Sequence, residues 1–321
     1  MTNEKVRDAN PDAARPGPAP GTPGARARRE AVFAGAGRSS ILRLLRDRRV
    51  LVPAVIIAIL GAASLFANVV APYEPNRPGV NMPYAPPSPQ NLLGTDNAGR
   101  DNLSRLLYGG RLTLGISVGA VTIAAVVGLV AGVVAGYLGG SVDVVIMRST
   151  DVVLCFPPII LAMAVVTFVG SRPEYLTLVI AALYAPRFAR VVYAAVQTVK
   201  FNAHVEAARA MGATTVGILR REIVPNVMAP VMVQYSLAIG HAILLETGLS
   251  FIGLGPPPPS PSWGRMIEEA RRFMEQQILL LVWPSVVIGL SVISFNALGD
   301  ALRDALDPKL RQSVSVGRDA A

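Results

Sequence analysis

The sequence predicts an all-α, polytopic membrane protein with six transmembrane helices. Hydrophobic residues make up 52% of the 321-residue chain and charged residues only 16%, a composition too apolar for an ordinary soluble domain. Six runs contain no Asp, Glu, Lys or Arg, and they span residues 50–73, 112–142, 152–171, 175–186, 223–245 and 278–299. Because a spanning helix needs about 20 apolar residues, all but the fourth of these runs are long enough to cross a bilayer.

The fourth run, residues 175–186, is too short to span by itself. We therefore expect its helix to continue past Arg187 and Arg190 through Val196. Charged groups are costly inside the hydrocarbon, so these two arginines are expected near one membrane surface or facing the protein interior.

The distribution of Lys and Arg predicts the topology, because short loops rich in these residues stay in the cytoplasm. The N-terminal tail is rich in Arg, and a second dense cluster follows the fourth span. The members of that cluster are Arg187, Arg190, Lys200, Arg209, Arg220 and Arg221. Six spans place both clusters on one side, which predicts that both termini are cytoplasmic. The three arginines between residues 100 and 111 then lie outside, where Asp96 and Asp101 partly offset their charge.

These observations divide the chain into parts. The first residues are rich in Pro, Gly, Ala and Arg and cannot bury enough apolar surface to fold. The Arg-rich helix after them should lie on anionic lipid heads, and the adjoining span argues against nucleic-acid binding. The predicted parts are a disordered cytoplasmic tail (1–38), an amphipathic interfacial helix (39–49), the first transmembrane helix (50–73), an extracytoplasmic segment (74–111), a transmembrane core (112–299) containing a cytoplasmic polar loop (200–222), and a cytoplasmic C-terminal tail (300–321).

The polar loop is the most informative segment, because it lies between long apolar runs. Residues 206–211 are good helix formers, and Gly212 suits the left-handed residue that ends a helix. Thr214 or Thr215 can cap a second helix. Ala207 and Ala208 should leave a slim helix face that fits a groove of a partner.

Two motifs connect the chain to a known family. Glu206-Ala207-Ala208, with Gly212 and the later Ile-Val-Pro at 223–225, resembles the EAA loop of permease subunits in binding-protein-dependent ABC importers. A second pattern before the second span is similar to the extracytoplasmic signature of C-type permease subunits in the dipeptide, oligopeptide and nickel importers. That signature comprises Gly94, Thr95, Asp96, Gly99, Arg100, Asp101, Ser104, Arg105 and Tyr108. These residues either serve a partner or only order an external loop.

The resemblance runs from about residue 39 to residue 311, with Glu222 where the family often has His and Val224 where Leu is commoner. It implies the type I ABC importer permease fold in a bacterial cytoplasmic membrane. It also implies a heterodimer with a B-type permease, two cytoplasmic ATPase subunits that bind ATP and Mg, and an extracytoplasmic substrate-binding protein, with no cofactor or metal in this chain. The cargo would be di- or oligopeptides, with nickel or another small solute as the alternative. The ATPase-coupling residues would be Glu206, Ala207, Ala208, Gly212, Arg220, Arg221 and Pro225.

Other features of the spans have alternative interpretations. Glycines at every fourth position allow close helix approach, either to a second permease or within the chain. These glycines are Gly128, Gly132, Gly136 and Gly140. Prolines in the third, fifth and sixth spans favour bends, including Pro157 and Pro158. Cys155 is expected to pack as a small buried residue.

Sparse polar groups in the spans are candidates for a weakly binding translocation path. These candidates are Gln234, Ser236, His241, Ser291, Ser294 and Asn296. His241 is better explained as a hydrogen-bonded helix contact than as a metal ligand, because no second ligand lies at suitable spacing. Residues 94–111 and 250–267 should form the landing area of the binding protein. Trp263 and Met266 are expected to anchor at the membrane interface, with a gate as the alternative.

The sequence bears on three classes of function. An enzyme is disfavoured because HExxH and the GxxxxGK[ST] phosphate loop are missing from the chain, and the GxSxG match at 115–119 lies within an apolar span. An ion-coupled secondary transporter is the alternative, but it would need an ionisable group at mid-membrane, and the six runs offer only His241. An importer permease driven by separate ATPases is therefore the preferred hypothesis.

Overall fold

The structure is a computed structural model that describes residues 48–306. Within this range the chain forms eleven α-helices and one π-helical turn, and the only β pairing is an isolated bridge between Thr95 and Asp101. The all-α prediction is confirmed. The predicted tail 1–38, all but the last two residues of the predicted interfacial helix 39–49, and residues 307–321 of the C-terminal tail lie outside the described residues.

The helices follow one another with short connections, apart from a long irregular segment after the first span. They are α1 (Arg48–Leu65), α2 (Ala67–Val70), α3 (Asn102–Leu138), α4 (Gly140–Leu154), α5 (Pro158–Val169), α6 (Pro173–Val199), α7 (Ala203–Ala210), α8 (Thr215–Ile218), the π-helical turn (Leu219–Ile223), α9 (Val224–Phe251), α10 (Trp263–Arg271) and α11 (Leu279–Leu306).

Five helical segments in the described part of the chain are long and apolar enough to cross a membrane: α1, α3, α6, residues 215–251 and α11. Helices α4 and α5 pass the same test only together, and they are bent by 90° at the break between them. Counting this pair as one span gives the six that the sequence predicts.

The third apolar run, residues 152–171, is broken rather than only bent as its prolines predicted. Its helix stops at Leu154 and a new one begins at Pro158. Pro157 and Pro158 explain the break, because proline removes a backbone donor and the residue before it avoids helical geometry. Cys155 lies at this break and is exposed, so the expectation that it packs inside is wrong.

Two spans extend beyond their apolar runs. Helix α6 continues past both arginines to Val199, as predicted. Arg187 stacks over the Tyr184 ring at 5.1 Å, and Arg190 forms an ion pair with Asp151. Helix α11 continues through Leu306, beyond the predicted end of the core at residue 299.

Helix α3 is the longest single α-helix among residues 48–306. Its 37 residues extend for about 55 Å, well beyond the roughly 30 Å of a hydrocarbon core. A Cβ at Gly132 would lie 2.6 Å from the Ala189 carbonyl oxygen, and one at Gly136 would lie 2.8 Å from Val196 Cβ. Gly128 meets α6 in the same way, so these three glycines seat α6 against α3 within the chain.

Gly140 does not belong to that face, which corrects the four-glycine interpretation. Helix α3 ends at Leu138, and Gly140 has a positive φ of 57° with open space around its Cβ position. Residues four positions apart share a face only within one continuous helix, so Gly140 does not share the face of Gly128, Gly132 and Gly136.

Candidate functional site

We call residues 200–223 the elbow, which lies beside the C-terminal end of α3. Lys200 donates to the Gly136 carbonyl at 3.1 Å. Arg209 lies over the Tyr137 ring at 5.7 Å and donates to the Tyr137 hydroxyl at 3.4 Å. These contacts tie the elbow to the last turn of α3.

The inner face of the elbow is part of the main core. Val205, Ala208, Ile218 and Ile223 are all buried in the same apolar cluster as residues of α3, α6 and α9. Burial of each large aliphatic side chain contributes roughly 1.5–3 kcal/mol. The elbow is therefore a packed unit rather than a loose connection.

The local sequence explains the shape of the elbow. Helix α7 ends where Gly212 adopts a φ of 76°, which is unfavourable for residues with a Cβ. The Thr214 side chain then accepts from the Gly217 amide at 3.2 Å and starts α8. Both features agree with the helix signals in the sequence.

The outer face carries exposed small and apolar residues. Ala203, Ala207 and Ala210 are exposed and occupy positions i, i+4 and i+7, which share one helix face. Met211 is 82% exposed beside them. Exposed apolar groups of this size beside a slim face favour a contact with another protein.

Ala208 corrects the prediction for this face. It is buried, while Ala207 is exposed, because neighbouring helix positions point about 100° apart. The slim face is real, but it is formed by Ala203, Ala207 and Ala210. Their spacing was visible in the sequence and could have identified them.

The other coupling candidates occupy the outer side of the elbow as well. Glu206, Gly212, Arg220, Arg221 and Pro225 are all exposed. The two arginines belong to the π-helical turn, whose last bond runs from the Val224 amide to the Leu219 carbonyl. Pro225 follows immediately, and its missing amide donor favours such a local rearrangement.

The last part of the elbow, from residue 215, and the fifth span form one continuous helical segment, which we call the rod. Helix α8, the π-helical turn and α9 continue without a break from residue 215 to residue 251, rather than starting at residue 223 as the apolar run predicted. At 1.5 Å per residue, this rod measures about 55 Å. A displacement of the elbow would therefore act directly on the fifth span.

We call residues 71–105 together with α10 the cap, which surrounds the N-terminal end of α3. Asp101 caps this helix: its carboxylate accepts from the Ser104 amide at 2.8 Å, the Ser104 hydroxyl at 2.7 Å and the Asn91 amide group at 2.9 Å. Thr95 donates to the Met82 carbonyl at 2.6 Å. A Cβ at Gly94 would meet the Ala85 carbonyl at 2.5 Å, so this site accepts only glycine.

An ion-pair cluster joins the two parts of the cap. Arg105 is 2% exposed and contacts Glu269 at 2.7 Å and Asp96 at 3.5 Å. Arg100 also pairs with Asp96, at 2.6 Å. Asp96 thus offsets two arginines, as expected, but within residues 48–306 Asp101 forms no ion pair and acts as a helix cap instead.

The signature residues therefore order the cap around α3. Gly94, Thr95, Asp96, Gly99, Asp101, Ser104 and Arg105 are buried, whereas Arg100 and Tyr108 are partly exposed. Glu269 was not identified from the sequence, because it lies 164 residues from Arg105 and no local pattern indicates the pairing.

Trp263 and Met266 are buried, so neither can anchor at a membrane interface. Trp263 is 1% exposed and its ring fits against Gly109 and Gly110 of α3. Its indole donates to the Leu106 carbonyl at 2.9 Å. The expectation of an interfacial anchor is wrong, because small residues on a distant helix create a site for the ring.

The six polar candidates for a path lie on α9 and α11, two helices that meet, and they differ in burial. Ser291 borders an apolar cavity of about 160 Å³ between α1, α3 and α11. Asn296 lies where α9 and α11 meet, since a Cβ at Gly240 would be 2.9 Å from its Oδ1. Ser236 and Ser294 are buried.

Three of the six reach the surface of the described chain, since His241 is exposed and Gln234 and Asn296 are partly exposed. His241 and Gln234 belong to α9 and Asn296 to α11. Nδ1 of His241 donates to the Leu237 carbonyl at 2.8 Å, which agrees with a hydrogen-bonded helix contact.

Comparisons with known proteins agree with this architecture. Residues 128–312 match the family described as "Binding-protein-dependent transport system inner membrane component". A putative peptide transport system permease protein of Brucella abortus biovar 1 (strain 9-941) is 34% identical over 269 residues, covering 84% of this chain and 90% of that protein. A glutathione transport system permease protein of Escherichia coli O6:K15:H31 is 40% identical over 270 residues, covering 84% and 89%.

A solved structure shares the fold. A chain from inward-facing conformations of the MetNI methionine ABC transporter aligns with a TM-score of 0.51 and 17% identity, covering 63% of this chain and 97% of that one. The importer permease fold expected from the resemblance is therefore confirmed.

Proposed function

Because this chain belongs to the family of binding-protein-dependent transport system inner membrane components, we propose that it is one permease subunit of an ATP-driven importer of small peptides. The peptide cargo is supported by the names of the relatives, which include a peptide and a glutathione transport system. Glutathione is itself a short peptide, so both names indicate the same class of solute. Nickel or another small solute is the alternative cargo.

The chain supplies half of a path and works with other subunits. The proposed partners are a B-type permease, two cytoplasmic ATPase subunits that bind ATP and Mg, and an extracytoplasmic binding protein. The family description supports the binding protein. The lack of a GxxxxGK[ST] loop in the sequence supports hydrolysis on separate subunits. Both termini and the elbow would face the cytoplasm, in keeping with the density of Lys and Arg there.

The elbow is the proposed contact with the ATPases, and one observation carries this role. Its inner face is packed into the core, while its outer face presents Ala203, Ala207 and Met211 to a partner. A packed unit transmits force, whereas a flexible loop would absorb it. Moving a two-state permease from about 1:99 to 99:1 requires roughly 5.5 kcal/mol of differential binding. ATP-dependent closure of the ATPase pair would provide it through this contact.

The path itself would form between the two permease subunits. His241 on α9 is its best-supported candidate, because it is exposed from within a span, and Gln234 and Asn296 are partly exposed. Ser236, Ser291 and Ser294 are buried in this chain, which supports a packing role instead.

The experiment is ATP-driven uptake by the complete complex. The tagged chain is purified from its native membrane with its co-purifying subunits and reconstituted in proteoliposomes with the binding protein. Labelled dipeptides, tripeptides and glutathione should accumulate with ATP and Mg and remain at background without them. Uptake by the isolated chain without nucleotide would instead support an ion-coupled transporter and contradict the proposal.

A further inference from the structure

Glu246 is a fully buried carboxyl near the end of the 215–251 rod. Its side chain is 0% exposed, and among residues 48–306 it forms no ion pair. Its Oε1 accepts from the Ser250 hydroxyl at 2.8 Å. A buried carboxyl without a cationic partner is costly unless it is hydrogen-bonded. The hydroxyl groups around Glu246 therefore matter for its stability in this position.

Those neighbours belong to the cap. The hydroxyls of Thr113 on α3 and Ser262 at the start of α10 lie against the same carboxyl. The Ser262 hydroxyl also lies 3.4 Å from that of Ser250, and it accepts from the Arg265 amide at 3.2 Å to cap α10. The Thr113 hydroxyl accepts from the Trp263 amide at 3.1 Å. One carboxyl thus connects α9, α3 and α10.

Packing at this junction is too close for the helices to slide freely. A Cβ on Gly264, in the first turn of α10, would lie 2.6 Å from the Thr247 carbonyl oxygen and 2.6 Å from Ser250 Cβ. The backbone of α10 therefore rests directly on α9 beside Glu246. Interfaces packed this tightly have discrete arrangements rather than continuous ones.

The opposite end of the same rod is the elbow. Glu246 lies 23 positions after Ile223 along the helix, a distance of about 35 Å. Ile223 is buried at the elbow and Glu246 at the cap, so both ends of the rod are held by the molecule. The rod is the direct mechanical connection between them.

We propose that Glu246 is a positioning residue whose hydrogen bond with Ser250, and whose packing against the hydroxyls of Ser262 and Thr113, lock the cap to the rod, so that binding-protein arrival at the cap is transmitted to the elbow. This inference rests on the proposed function. The inference adds a specific residue, Glu246, and a route through the rod by which binding of the binding protein at the cap controls ATP hydrolysis at the elbow.

The test uses the complete complex in proteoliposomes and compares Glu246→Gln, Glu246→Leu and Leu245→Ala. The glutamine keeps the shape and an oxygen that accepts from Ser250, so stimulation of ATP hydrolysis by the binding protein should stay within about twofold of wild type. The leucine removes this acceptor, and stimulation should fall by at least about 5-fold, a typical coupling factor. Basal hydrolysis and the yield of assembled complex should not change. Leu245 is a buried neighbour on the same helix, so its truncation controls for lost packing.

Three results would overturn the inference: full stimulation in Glu246→Leu, loss of stimulation in Glu246→Gln, or an equal loss in Leu245→Ala. If Glu246→Leu fails to assemble, Ser250→Ala decides, because it deletes only the hydroxyl that donates to Glu246. A several-fold loss of stimulation in that variant supports the lock, and full stimulation refutes it. Wild-type complex that lacks ATP-driven uptake would refute the proposed function as well, whereas working wild type with an unaffected Glu246→Leu refutes this inference alone.

Discussion

Arg105 in the cap is buried against two carboxylates, whereas Glu206 in the elbow projects from the surface. The cap and the elbow surround opposite ends of α3, and their contacts differ in the same way. In the cap, Asp101 and Asp96 are paired with groups of the same region, and Gly94 and Gly99 lie against neighbouring backbone. The elbow buries one face and leaves small and apolar residues on the other. The comparison shows that the two sequence motifs have different structural roles. The signature residues between 94 and 108 order the cap, whereas the EAA motif leaves exposed residues on the surface of the elbow.

The largest loss of unfolding free energy is expected when the buried ion pair of the cap is broken. Arg105→Met removes the more buried of the two arginines that pair with both Asp96 and Glu269, and because Arg100 remains, the cost should be at most about 3 kcal/mol. Thermal or denaturant unfolding of the purified complex would measure the loss. Arg172→Met removes an arginine from an exposed pair with Glu174 and should cost under about 1 kcal/mol. Equal losses in the two variants would contradict the rigid-cap interpretation.

The elbow should respond in activity rather than in stability. Glu206→Lys reverses an exposed charge, so the unfolding free energy should change by less than about 0.5 kcal/mol. Stimulated ATP hydrolysis should fall by a factor on the order of 5–150, the usual range of coupling energies. Gly212→Pro should also lower stimulated hydrolysis, but with a loss of stability, because proline cannot adopt the positive φ at this position. Glu174→Lys makes the same charge change at the other end of α6, and normal coupling is expected there.

The two helix caps give a smaller and directly matched comparison. Asp101 is buried and accepts three hydrogen bonds, so Asp101→Ala should cost about 1–2 kcal/mol. Thr214 is exposed and accepts one, so Thr214→Ala should cost about 0.5 kcal/mol. Both are measured as unfolding free energies in one detergent. The reverse order would show that the elbow is the more rigid region.

The smallest expected effect concerns the contact between the elbow and α3. Arg209→Ala removes an exposed cation–π contact with Tyr137, which is worth about 0.5–1 kcal/mol. Tyr137→Phe keeps the ring and deletes only the hydroxyl, so it should change stability less. A larger loss from Tyr137→Phe would mean that the weak hydrogen bond matters more than the ring contact.

The sequence predicted features that depend on local rules. Gly212 and Thr214 fixed the shape of the elbow, because left-handed glycines and side-chain caps act within a few residues. The transmembrane spans could be predicted because long apolar runs are typical of helices that cross a bilayer. The continuation of α6 past Arg187 followed from the length that a bilayer requires.

The sequence failed where distant segments decide the outcome. Trp263 is buried only because Gly109 and Gly110 make room for it, and Arg105 pairs with Glu269 on another helix. Such pairings cannot be inferred from spacing in a single sequence. The break at Pro157 was underestimated, since the proline pattern predicts a bend but gives no angle.

The central claim is that the elbow faces the cytoplasm and contacts the ATPases, whereas the cap faces the outside. Cysteine substitution at two matched methionines tests this claim most directly. Met211 in the elbow and Met82 in the cap are 82% and 75% exposed, and Cys155 can be replaced by Ala to leave each new cysteine alone. Met211→Cys should be protected from an impermeant maleimide outside intact cells and should cross-link to an ATPase subunit, with a yield that changes on adding ATP. Met82→Cys should be labelled from outside and give no such cross-link. Labelling of Met211→Cys from outside, or its cross-linking to the binding protein, would contradict the account.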